Sequence, residues 1–133
     1  MTLITETNDP THAGIDRSAI SGWVERYLLA WRTNNAADIA DLFTEDAEYV
    51  EAPYTTRWIG RDAIVAGWRS RWDWQRGGWA FEWEIQSATD RTAVITGVGT
   101  YTQLGVFDNL WTITLDGTGH CTRFHMVNTE RDS

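Results

Sequence analysis

The chain has 133 residues, 42% apolar and 23% charged, which suits one globular domain with one sizeable core. No apolar run approaches the roughly 18 residues of a membrane span, and Met1 to Glu6 lack the basic start and long apolar stretch of a secretory signal, so a cytoplasmic chain without a membrane partner is expected. A formal net charge of −8 argues against a nucleic-acid partner, which needs a basic surface.

Residues 1–14 are polar and aperiodic and read as a mobile N-terminal tail, leaving 15–133 as the single domain. A first helix starts near Asp16 or Ser18, either of which can cap it. Ile20, Trp23, Val24, Tyr27, Leu28 and Trp31 then recur on one face. Asn34-Asn35 ends it, and Asn35 can cap a short second helix whose buried side is Ile39, Leu42 and Phe43. Ala47 to Ala52 alternates as a short strand stopped by Pro53. After a loop, Asp62 opens a third helix with Ile64, Val65, Trp68 and Trp72 as its apolar stripe, broken by Gly77-Gly78. Arg69 and Arg71 point away from that stripe. With Arg57, Arg61 and Arg76 they read as solvated positions on the helix and its flanks.

Four strands follow: Trp79 to Ala88, Thr92 to Thr102, Asp108 to Leu115, and Cys121 to Asn128 after the Asp116-Gly117-Thr118-Gly119 turn. On the last strand, Phe124, Met126 and Asn128 face one side and Arg123, His125 and Val127 the other. Helices first and a meander after is an α+β layout, with the helices covering the concave face of a twisted sheet. The nine tryptophans are more than core filling requires in so small a domain, so they line a cavity, a subunit interface, or both. Cys121 is the only cysteine and reads as a small buried hydrophobe.

The run from Trp23 to Trp31, then Asp41-Leu42-Phe43-Thr44-Glu45-Asp46-Ala47, Gly60-Arg61-Asp62-Ala63-Ile64 with Trp68, Leu110-Trp111, and Leu115-Asp116-Gly117 before Cys121 together resemble a SnoaL-like member of the nuclear transport factor 2 superfamily. The resemblance spans Asp16 to Asn128. It implies a cone-like half barrel, three N-terminal helices packed on a curved mixed/antiparallel sheet, with a pocket between them. It also implies homodimer formation through the outer face of the sheet. The superfamily holds isomerases, cyclases, dehydratases, epoxide hydrolases and non-catalytic binding modules on one shape, so the fold does not name a reaction.

Against the ketosteroid isomerase pattern, which pairs a carboxylate base with a Tyr and a protonated acid, Tyr27 matches the family's Tyr. The base position before the Pro is Ala52, and the second acid falls at or near Trp111. Glu51 points to the opposite side of its strand from Ala52. Many SnoaL-like proteins carry a Glu on the last strand where this chain has Met126. The catalytic candidates are Tyr27, either a pocket hydrogen-bond donor or a core Tyr with its OH at the edge, and Asp108, either an acid at the pocket mouth or a strand-start residue in solvent; the ligand-binding candidates are Trp31, Tyr54, Trp68, Trp83, Trp111, Met126 and Asn128. No His/Cys spacing suits a metal, no glycine-rich loop suits a phosphate, and no cofactor is expected. Two functions remain. One is an enzyme that moves a proton or adds water on a flat hydrophobic small molecule. The other is a non-catalytic binding or dimerisation module. A buried Asp, Glu or His beside Tyr27 would separate them.

Overall fold

The computed structural model describes residues 17–131, so the expected tail over 1–14 lies outside the described residues. Helix α1 (Arg17–Thr33) buries Ile20, Trp23, Val24, Tyr27, Ala30 and Trp31, the stripe expected from its spacing. Helix α2 (Ala36–Ala40) is capped by Asn35, whose side chain accepts from the N–H groups of Ala37 and Asp38. Strand β1 (Phe43–Ala52) begins four residues earlier than the alternation suggests. Strand β2 (Thr56–Ile59) occupies the stretch read as a loop. Its partner residues on β1 lie only five to eleven positions away, a hairpin too short to show a pattern of its own.

Helix α3 (Arg61–Ser70) stops before the expected glycine break, because the chain tightens into a 3₁₀ turn at Trp72–Gln75. That turn leaves Trp72 exposed instead of on the buried stripe. Gly77 and Gly78 follow with positive φ. The remaining strands are β3 (Trp79–Thr89), β4 (Thr92–Tyr101), β5 (Gly105–Leu115) and β6 (Cys121–Glu130).

The strands form one six-stranded, unclosed sheet in the order β2-β1-β6-β5-β4-β3. All neighbours are antiparallel except β1 and β6, which run parallel. Register shifts at Phe43/Glu48, Ile85/Ser87 and Thr114/Leu115 bend the strands, giving the curvature that lets the helices sit inside. The fold is thus α+β: three helices on the concave face of a mixed sheet.

The core lies where α1 crosses this face. Trp23 packs against Phe43, Phe124 and Tyr27, with ring centroids 5.5–6.1 Å apart. Its indole N–H donates to the Leu42 carbonyl at 3.0 Å, and the same carbonyl accepts from the Cys121 N–H at 2.8 Å. One oxygen thus joins α1, the entry to β1 and the start of β6. Cys121 is buried and burial pushes its thiol up to about 12, which fits its reading as a small hydrophobe. Truncating the fully buried Trp23 removes both the packing and one of the two donors. Trp23→Ala is expected to lower stability by about 3–5 kcal/mol, measured as a shifted midpoint in urea unfolding followed by circular dichroism.

Candidate functional site

Between α1, the 3₁₀ turn, the β1–β2 connection and the concave sheet lies a cavity of about 530 Å³. Half of its lining residues are aromatic: Tyr27 and Trp31 from α1, Tyr49 from β1, Tyr54, Trp74, Trp79, Phe81, Tyr101, Phe107 and Trp111. Phe81 stacks on Trp111 at 5.1 Å, and Tyr49 and Tyr27 both stack on Phe124, at 4.8 and 5.4 Å. Close strand-to-ring approach helps seat this wall. A Cβ on Gly97 would fall 2.3 Å from the Phe81 ring. Tyr54, Trp74 and Leu104 are exposed and mark the open end.

The cavity holds an ion pair. Glu51 is 5% exposed and shares the inward face of β1 with Ala47 and Tyr49. Arg71, at the end of α3, places Nη1 2.9 Å from Glu51 Oε2 and 2.8 Å from Oε1. Only the contact to Oε2 is directed as a hydrogen bond. Oε1 is buried with no hydrogen-bond partner among the described residues. Oε2 also accepts from the Tyr49 hydroxyl at 3.1 Å. Arg71 Nη2 donates to Thr56 Oγ1 at 3.1 Å, and the guanidinium lies 4.6 Å from the Trp58 ring and 4.4 Å from that of Trp74. Trp58 in turn rests on Gly67, where a Cβ would come within 2.3 Å of the indole. The absence of a side chain on α3 therefore lets Trp58 hold the arginine.

Two further polar groups of residues frame the cavity. Trp31 Nε1 donates to the Tyr101 hydroxyl at 2.9 Å, while Gln75 accepts from Trp79 Nε1 at 2.7 Å and donates to the Trp31 carbonyl, pinning the 3₁₀ turn to α1. On the sheet, Trp111 Nε1 donates to Asn109 Oδ1 at 3.0 Å, Asn109 Nδ2 to Asn128 Oδ1 at 2.6 Å, and Asn128 Nδ2 to the Tyr54 hydroxyl at 3.0 Å.

The structure brings Tyr27, Trp31, Tyr54, Trp111, Met126 and Asn128 to the cavity wall. Trp68 lies beneath it, fully buried against Tyr27 and Trp31, its indole N–H without an acceptor among the described residues. Trp83 packs on the core edge outside the cavity lining. Asp108 must be corrected. Alternation from Trp111 turns it to the outer face, where Arg131 engages it through two hydrogen bonds, at 2.7 and 2.9 Å, and holds its carboxyl below the usual carboxylate range.

Glu51 and Arg71 are corrected the other way. The base position was sought on the face of Ala52, but β1 buries the odd-numbered face, because Phe43, Ala47 and Tyr49 are the residues that fit the core. Reading parity from the buried Tyr49 would have found Glu51. Arg71 has no such signal, since α3 ends before it and its direction comes from the turn that follows. Among the described residues no group of three His, Cys, Asp or Glu could hold a metal, and no helix is long and apolar enough to cross a membrane.

A family model described as a SnoaL-like domain matches residues 24–129, and the chain belongs to that family. No curated protein matches the chain. Among solved structures, it is similar to a protein with a cystatin-like fold from Methylobium petroleophilum: 16% identity, covering 90% of this chain and 82% of that one, TM-score 0.71. It is also similar to a ketosteroid isomerase-like protein from Erwinia carotovora: 15% identity, 86% and 96% covered, TM-score 0.62. A third is an LEH-like epoxide hydrolase from M. tuberculosis: 17% identity, 84% and 83% covered, TM-score 0.59. At these identities the likeness establishes the shared fold and leaves the chemistry to the site.

Burial raises the pKa of three cavity tyrosines. Tyr101 is pushed up to about 12, offset in part by the Trp31 N–H, and Tyr27 and Tyr49 are raised further by burial. A phenol whose folded pKa exceeds the ordinary value of 10.0 keeps its stabilising contribution below pH 10 and loses it as pH climbs through the folded value. A spectrophotometric titration is therefore expected to show these tyrosinates appearing above pH 10 together with loss of the near-ultraviolet tryptophan dichroism. Ionisation of all three near pH 10 in the intact fold would contradict their burial.

Proposed function

We propose that the chain is a small-molecule enzyme that holds a flat, largely apolar substrate in the aromatic cavity and moves a proton with Glu51. The observation that supports this is a carboxylate enclosed among aromatic rings with one oxygen, Oε1, left without a hydrogen bond. Glu51 lines the cavity, and its Oε1, although 2.8 Å from Arg71 Nη1, accepts no directed hydrogen bond, so a substrate C–H or a water admitted beside it can take that acceptor. Arg71, held by Trp58, Trp74 and Thr56, fixes the carboxylate's orientation. Tyr27 stays protonated at neutral pH and supplies a hydroxyl near developing charge, while the Tyr49 hydroxyl donates to Glu51 Oε2 and helps hold the carboxylate.

The competing reading is a binding module of the same fold, favoured by the apolar Ala52, Trp111 and Met126 at positions where relatives carry acids. β-Tetralone separates the two: it is flat, mostly apolar and has acidic protons beside its carbonyl. In deuterated buffer, Glu51 would take an α-proton to leave an enolate, exchange it with solvent, and return a deuteron to the same carbon. Wild-type protein is expected to accelerate this exchange, read by NMR, by about 10²-fold or more. Glu51→Gln should abolish the acceleration while leaving quenching of tryptophan fluorescence by the ketone intact. Quenching without accelerated exchange in the wild type would favour the binding module.

We propose also that two copies pair through the outer sheet face. Leu110 and Val127, register partners on β5 and β6, are 42% and 46% exposed there. Arg57, Arg123 and His125 gather around Glu48 on the β2-β1-β6 side, while Glu82 and Glu84 project from β3 at the opposite edge. A two-fold axis through the apolar pair would set basic edge against acidic edge. Light scattering should give twice the monomer mass at low salt and a lower mass for Leu110→Asp; a monomer under all conditions overturns the pairing.

A further inference from the structure

We infer that Tyr54 forms a second polar subsite in the cavity, one that donates a hydrogen bond to an acceptor oxygen of the ligand, a carbonyl or an anionic oxygen. The inference rests on the cavity being the ligand site and names one requirement on what enters it.

The carrying observation is the directionality of the chain from Trp111 to Tyr54. An indole N–H can only donate. Trp111 Nε1 at 3.0 Å therefore requires the oxygen of the Asn109 amide to face it, which turns the Asn109 nitrogen toward Asn128. Asn109 Nδ2 then donates to Asn128 Oδ1 at 2.6 Å, and this commits the Asn128 nitrogen to the Tyr54 hydroxyl at 3.0 Å. Amide oxygen and nitrogen are ordinarily interchangeable in position, but here one donor-only group on a buried ring sets both amides. The Tyr54 oxygen is thus obliged to accept, and its own O–H is left to donate. Among the described residues nothing receives that proton.

The geometry around the chain is firm at one end and open at the other. Trp111 is 2% exposed, and Asn109 and Asn128 face each other as register partners on β5 and β6. Tyr54 is 49% exposed, belongs to the connection after β1, and lines the open end of the cavity. Such a relay spends two asparagines and an indole N–H to aim one hydroxyl. Each accepted bond polarises the next donor, so the terminal O–H is a better donor than an isolated phenol. Glu51 lies three residues before Tyr54, on the same cavity. The two place a carboxylate and a directed donor around one ligand.

The test compares tetralin with β-tetralone, which share a skeleton and differ by the carbonyl, using tryptophan fluorescence titration. Tyr54→Phe is expected to weaken the ketone about threefold to tenfold, the range of one hydrogen bond, and to leave tetralin within about twofold. Asn109→Leu, which cuts the relay between Trp111 and Asn128 and leaves Tyr54 in place, should weaken the ketone in the same direction. The infrared carbonyl stretch of bound ketone should move to lower frequency in the wild type and return toward its unbonded value in Tyr54→Phe. An unchanged ketone affinity and an unchanged carbonyl frequency in Tyr54→Phe overturn the subsite. If Glu51→Gln meanwhile abolishes α-proton exchange, the proton-transfer reading survives that result. Binding of neither probe to the wild type overturns both.

Discussion

Enclosing the Glu51 carboxylate among aromatic rings costs several kcal/mol unless a cation is held against it, and removing either partner of such a pair leaves the other charge stranded. Much of the local architecture serves that need. Arg71 reaches the carboxylate only because α3 ends one residue earlier and the chain tightens into a 3₁₀ turn. The turn carries Trp74 onto one side of the guanidinium, and β2 brings Trp58 and Thr56 to it. Gly67 keeps α3 bare where the Trp58 indole lies. A helix end, a two-strand hairpin and a tight turn thus converge on one ion pair, and that pair occupies the cavity.

The same cavity is kept open by what its walls cannot do. Phe81, Trp111, Phe124, Tyr27 and Tyr49 stack on one another and leave flat faces that cannot interdigitate as branched aliphatic side chains do. Several of the tyrosine hydroxyls and indole N–H groups around the cavity are partnered: Trp31 with Tyr101, Tyr49 with Glu51, Trp111 with Asn109. The result is a largely aromatic surface interrupted at a few fixed points by polar atoms of known direction. Seven of the nine tryptophans thus take one of three roles. Trp23 and Trp68 fill the core, Trp31, Trp74, Trp79 and Trp111 line the cavity, and Trp58 braces the arginine that faces it, while Trp72 is exposed and Trp83 packs at the core edge.

The candidate site was legible in part. Tyr27, Trp31, Trp111, Met126 and Asn128 stand where their periodicity places them, because a helix stripe and a strand face each repeat a fixed angle along the chain. Glu51 was within reach of the same reasoning and was missed through the choice of which strand face to trust. Asp108, a candidate for either the pocket mouth or solvent, faces away from the cavity, as two-residue alternation from Trp111 requires. Arg71 lay beyond periodicity, since its direction follows from where one helix stops and another kind of turn begins.

The sequence by itself determined the fold class, the helix stripes, the strand alternation and the turns, because these are local rules of spacing and capping that neighbouring residues enforce. Membership of the SnoaL-like family followed from the order of those same pieces. Only the tertiary structure decided that β1 pairs parallel with β6 and that residues twenty positions apart in the chain meet as Glu51 and Arg71. The physical reason is that charge neutralisation inside a cavity is a long-range condition. It is satisfied by whichever elements curvature and packing bring together, and no local pattern along the chain records it.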